Sequence, residues 1–169
     1  MVCVLLSVSC GYSLAGRGNF LPDHIATIAI PIFANQSDQL EVEELFSLKV
    51  VEEFNARGRY KIQPTLEGAD AVLNGTVLSF TSAPSVLEGG GNLAQGSQAS
   101  TYTVVVRAQV EFLDLVEENV IWSSNSFQFR DEYEVGEDPD AFFDQEGLTL
   151  QRLAEEFAKS LVSSILEAF

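Results

Sequence analysis

Histidine and tryptophan each occur once in these 169 residues, and cysteine only twice, as Cys3 and Cys10. The scarcity of ligands leaves nothing for a structural zinc site and nothing for a disulfide framework. Any histidine-based catalysis would have to use His24, which no recognisable nucleophile motif accompanies. Basic residues are also few: nine Lys and Arg stand against 25 Asp and Glu, a formal net charge of −16. That balance argues against nucleic acid as a partner, because phosphate backbones call for clustered Lys and Arg. It equally opposes nonspecific attraction to anionic lipid. No apolar run reaches the roughly eighteen residues that a membrane-spanning helix needs.

What is present suits one folded domain with one core: 46% of residues are hydrophobic and 20% charged. The first nine residues are apolar or small and uncharged, like the end of a signal peptide, though without its basic start. Leu6-Ser7-Val8-Ser9-Cys10 resembles a bacterial lipobox, in which small residues precede a cysteine whose thiol takes a diacylglycerol. Ser9 fits the last position before the cut, whereas Ser7 stands where leucine is preferred. The alternative is an N-terminal strand with a buried thiol. On the first reading residues 1–9 are a signal remnant, 10–24 a lipidated lead-in and 25–169 a single domain. Gly11 to Gly18 has no dinucleotide-loop spacing.

Alternation places Ile28, Ile30 and Ile32 on one face of a first strand, with Pro31 near its end. Asp38 and Glu41 are spaced as a capping box before a helix over about 39–57. On that helix Leu45, Leu48, Val51 and Phe54 recur at three-residue intervals, and Val42, Phe46 and Val50 widen the apolar surface. Gly58 is placed to end it. A short strand over 59–63 follows. Residues 69–80 form a longer one, with Ala71, Leu73 and Val77 on one face and Val72, Leu78 and Phe80 on the other. Such a strand is covered on both sides, here by helices and by a partner. Pro84 and the glycines at 89–91 and 96 indicate a flexible loop over 83–100. Strands over 101–113 and 120–129 make an antiparallel hairpin. A last helix over about 148–168 carries Leu150, Leu153, Ala154, Phe157, Ala158, Leu161, Ile165 and Ala168 on one stripe. The order predicts an α/β (α+β) two-layer sandwich, two helices on one face of a mixed, mainly antiparallel sheet of four to five strands.

Few residues invite a chemical role, and none a catalytic one. His24 reads as a solvated loop residue. The eight acids between Asp131 and Glu146 lack calcium-loop spacing and read as a solvated acidic loop. No metal site and no cofactor are expected beyond a covalent lipid on Cys10. Arg57, Arg59 and Lys61 are the only local basic cluster. Their types suit either a helix C-terminus complementing its dipole or contact with an anion such as a lipid phosphate.

Taken together, the chain resembles the LptE family of lipopolysaccharide-assembly lipoproteins. The likeness runs through Cys10-Gly11-Tyr12, Ala15-Gly16-Arg17, Ile28 to Asn35, Arg57 to Tyr60, Ala69 to Gly75, Val120 to Trp122 and Leu153 to Ala158. The resemblance implies a non-enzymatic outer-membrane lipoprotein on the periplasmic side. Its implied partner is the β-barrel LptD, whose lumen it plugs while assisting lipopolysaccharide delivery to the outer leaflet. The uncovered sheet face and the loops would then meet the barrel wall. Direct binding of lipopolysaccharide sits less easily with the charge of −16. The opening strand is also similar to that of envelope secretion lipoproteins of the CsgG or FlgO kind, the alternative reading.

Overall fold

The computed structural model describes residues 21–88, 98–134 and 139–168. The elements run β1 (Thr27–Ala29), β2 (Ala34–Asn35), α1 (Val42–Arg57), β3 (Lys61–Gln63), β4 (Ala71–Glu88), β5 (Gln98–Asp114), β6 (Asn119–Glu134) and α2 (Pro139–Leu166). One mixed sheet has the order β3-β1-β4-β5-β6, with β2 beside β4. β1 pairs in parallel with β3 and β4, while β4, β5 and β6 form an antiparallel meander. Both helices lie on one face, giving the two-layer α+β sandwich that the alternation of patterns anticipates; the two-residue β2 is an addition.

Helix α1 buries Val42, Phe46, Val50 and Phe54, an i, i+4 series, together with Ser47. The three-residue series therefore does not form the core stripe: Leu48 is 52% exposed, and Leu45 and Val51 only flank the core. At 3.6 residues per turn both series are apolar, and the sheet selected the one bearing two phenylalanines. Ser47 is tolerated inside because its hydroxyl donates to the Glu43 carbonyl (2.6 Å) and accepts the Phe33 N–H (2.8 Å). The capping box does not form either. Glu41 adopts a left-handed conformation (φ 62°) without a side-chain cap, and Asn35 organises the turn instead. Its Oδ1 accepts from the Ser37 N–H, and its Nδ2 donates to the Gln39 carbonyl and the Glu43 carboxylate. Gly58 does end the helix, at φ 67° with its N–H on the Asn55 carbonyl.

The meander is longer than its sequence suggests. β4 continues through Pro84 to Glu88, and β5 begins at Gln98, so both flanks of the supposed 83–100 loop are strand; residues 89–97 lie outside the described residues. Pro84 is accepted because no described strand pairs with the other edge of β4 beyond Val77. A register shift between Val77 and Ser79 marks a bulge at Leu78. The extra residue re-aims the side chains that follow, so Phe80, opposite Val106, packs on the helix side with Val77 rather than away from it.

Helix α2 starts nine residues before the expected position 148, with Pro139 at its first position. Leu153, Ala154, Phe157, Ala158, Leu161 and Ile165 are buried as the periodicity requires, and Val162 joins them. The Phe157 ring lies 5.0 Å from Phe46, 5.6 Å from Phe127 and from Phe129, and 6.4 Å from Phe33, centroid to centroid. Both helices, the β6 strand and the β1–β2 connection thus meet on one side chain.

Candidate functional site

Residues 1–20, with Ser9 and Cys10, lie outside the described residues, but the place where the chain emerges from them is well defined. Leu21 and Ile25 are buried against the core. The Leu21 N–H donates to Tyr60 Oη (3.2 Å), and the N–H groups of Ala26 and Thr27 converge on Asp70 Oδ2 (3.0 and 2.8 Å). His24 is no solvated loop residue. Its Nε2 lies 2.6 Å from Oδ2 of Asp114, whose side chain is 1% exposed at the end of β5. Ninety residues separate the two, so no local pattern announces the pair.

Burial works to raise the Asp114 carboxyl pKa. The Glu117 N–H, the His24 ring and the Val116 N–H outweigh it and hold the group below its ordinary value. An ionised carboxylate can only accept, so His24 Nε2 carries the proton of this bond. A depressed folded-state pKa means that the ionised form stabilises the fold above the unfolded-state value. That contribution disappears as pH falls through the ordinary carboxylate range towards the folded-state pKa. Asp114→Asn should therefore cost about 1–3 kcal/mol at neutral pH. Its urea midpoint should also fall less than that of the wild type between pH 6 and pH 3. Parallel curves for the two proteins would refute the assignment.

The basic cluster is divided by the fold. Arg57 is held by Glu53 (2.8 Å) and by Ser163 Oγ of α2 (3.1 Å), in the helix layer. Lys61 pairs with Thr27 and alternates with Ile62, which packs on the core, so Lys61 points to the other side of the sheet. Arg59 lies exposed between them in sequence. The acidic run is divided too. Asp131, Glu132 and Glu134 belong to β6, residues 139–146 belong to α2, and 135–138 lie outside the described residues. Arg152 pairs with Asp131 (2.7 Å) and Arg130 with Glu132 (2.6 Å), so part of the run is neutralised locally. Among the described residues no three His, Cys, Asp or Glu converge as a metal site would require.

The sheet face opposite the helices carries Asn74 and Thr76 from β4, Arg107, Gln109 and Glu111 from β5, and Gln128, Arg130 and Glu132 from β6. Arg107 donates to Gln128 (3.0 Å), and Thr103 and Arg130 both donate to Glu132. The expectation of an apolar second face on β4 is thereby corrected: the face is a ladder of polar cross-strand pairs. Apolar side chains adjoin at one end of this face, Val72, Leu113 and Val120, and Val105 stands among the polar pairs opposite Arg130. Between the helices on the solvent side lies a groove of about 210 Å³ lined by Lys49, Glu52, Glu53, Glu155 and Lys159. Lys49 closes it by pairing with Glu52 (3.0 Å) and Glu155 (3.4 Å). No described cleft gathers a nucleophile, a base and an oxyanion donor.

The fold is that of a two-layer α+β protein, two helices on one face of a mixed sheet. The chain belongs to the LptE family, described as lipopolysaccharide-assembly, whose family model matches residues 25–165. No curated protein matches it in sequence. Among solved structures it is similar to the rare lipoprotein B from Shewanella oneidensis, at 14% identity and a TM-score of 0.54, covering 82% of this chain and 92% of that one. It is similar also to a minor lipoprotein from Acinetobacter baumannii, at 11% identity and a TM-score of 0.54, covering 86% and 93%. A PelC dodecamer from Paraburkholderia phytofirmans shares the fold at 15% identity and a TM-score of 0.50, covering 90% and 93%.

Proposed function

We propose that this chain is an outer-membrane lipoprotein, anchored through Cys10 after cleavage behind Ser9, that partners an LptD-type β-barrel as its plug and assists lipopolysaccharide transport. The observation that carries the reading is the family match over residues 25–165, which spans both helices and the whole sheet. Two physical features support it. An 18-residue β4, at about 3.3 Å per residue, is some 55 Å long, enough to traverse a barrel. The polar ladder on the open sheet face suits the polar interior wall of such a barrel. The role is non-enzymatic and needs no cofactor. Of the basic cluster Arg57, Arg59 and Lys61, Arg57 is committed to Glu53 and Ser163, and any anion contact is proposed for Lys61 on the exposed edge strand.

The test is purification of the tagged full chain from membranes of its own host under mild detergent. A large β-barrel protein should be enriched with it, and the mature N-terminus should carry acyl mass on Cys10. Recovery of the chain without a barrel would overturn the plug role. A mature protein with an unmodified Cys10 would overturn the anchor.

A further inference from the structure

The turn between β5 and β6 presents apolar side chains to solvent without any need of the core. Leu115 and Val116 sit at its tip, with Val116 61% exposed, and Val120 just beyond is 50% exposed. Val120 faces Leu113 across β5 and β6, so the turn continues the short apolar end of the mainly polar sheet face. The turn is built rigidly. Asp114 Oδ1 accepts the N–H groups of Val116 (2.8 Å) and Glu117 (2.9 Å), and the Leu115 N–H donates to the Asp70 carbonyl (2.8 Å). The exposed side chains are thus displayed at a fixed place, where a solvated turn would ordinarily carry polar residues.

That place is beside the root of the tether. Asp114, which organises the turn, also binds His24, and Asp70, which receives Leu115, also holds Ala26 and Thr27. Eleven residue steps join Cys10 to Leu21, a reach of at most about 40 Å when fully extended. A lipid on Cys10 therefore keeps this pole of the domain within about 40 Å of the bilayer surface, nearer to the anchor than any other part of the described core.

We infer that the Leu115–Val116 turn, with Val120, seats in the interfacial layer of the bilayer that holds the lipid anchor, and so fixes the domain's orientation on the membrane. The inference rests on the anchor reading of Cys10. The attraction is apolar rather than electrostatic, because Glu117 and Glu118 flank the tip and the whole chain carries −16. The surface it takes is consequently one of uncharged or zwitterionic headgroups, and anionic lipid should weaken the seating.

Acylation of Cys10 blocks its thiol, and Cys3 leaves with the signal, so Val116→Cys in the mature lipidated chain offers one site for a nitroxide label. Leu40→Cys, at an exposed position before α1, is the control. Both proteins are reconstituted into phosphatidylcholine–phosphatidylethanolamine vesicles, and collision of the label with oxygen and with a water-soluble nickel chelate is measured. The label at 116 should be shielded from the chelate and open to oxygen, the label at 40 should not, and adding phosphatidylglycerol should reduce the difference. Vesicle-bound protein with both labels equally open to the chelate overturns the seating while leaving the anchor standing. A second labelled thiol, or protein that does not float with the vesicles, overturns the anchor and the seating with it. Shielding at 116 only after the barrel partner is added assigns the turn to a protein contact and overturns the lipid contact.

Discussion

Phe157→Ala lowers the unfolding free energy by about 3–5 kcal/mol, the upper range for removing a buried aromatic side chain. The size follows from position. The ring touches Phe33, Phe46, Phe127 and Phe129, which come from the β1–β2 connection, α1 and β6, so no single element can shift inward to fill the space. At about 2–4 °C per kcal/mol for a chain of this length, the midpoint of thermal unfolding should drop by about 10 °C. Urea unfolding followed by circular dichroism is the check, with an unchanged slope and a lowered midpoint expected. A loss below about 1 kcal/mol would show that the helices repack freely over the sheet.

Gly75→Val has the opposite origin and a comparable effect. Gly75 lies between Leu73 and Val77 on the helix side of β4, and the Phe33 ring rests directly on it. A Cβ built there would stand 2.5 Å from both Cγ and Cδ2 of Phe33. That ring is buried and set edge-on to Phe157, so it has no free volume into which to withdraw. Gly75→Ala should cost about 1–3 kcal/mol by overpacking, and valine more. The decisive measurement is a double-mutant cycle with Phe33→Ala. The penalty for alanine at 75 should largely vanish when the ring is absent, a coupling of about 1–3 kcal/mol. Additive effects would mean that Gly75 is required for the strand and not for the ring. Gly58 makes the contrast: it has open space around it, and its left-handed φ of 67° alone explains the glycine.

Sequence periodicity located both helices and the antiparallel meander, because these are set by patterns that recur within a few residues. Gly58 announced the end of α1 for the same reason, since a left-handed residue after a helix is a local requirement. The candidate site was less legible. Arg57, Arg59 and Lys61 are neighbours in sequence, yet one turn of chain reversal sends Arg57 to the helix layer and Lys61 to the opposite side of the sheet. His24 reads as a solvated loop residue in the sequence because its partner, Asp114, ends a strand ninety residues further on. The apolar turn at Leu115 and Val116 was readable as residues but not as a surface, since its meaning comes from standing beside the chain's entry at Leu21.

The amino-acid sequence by itself determined the order of elements, the apolar stripe of α2, the strongly acidic character, and the family to which the chain belongs. Only the tertiary structure decided which of two apolar stripes on α1 was buried, where the bulge at Leu78 returned Phe80 to the core, and how far β4 and β5 extend. It also decided that Asp114 would be buried and charged beside His24. The division has one physical reason. Helix and strand patterns repeat over three or four residues and are complete in any short window. Burial, register and the pairing of charges are settled by surfaces that meet only when residues tens of positions apart are packed together.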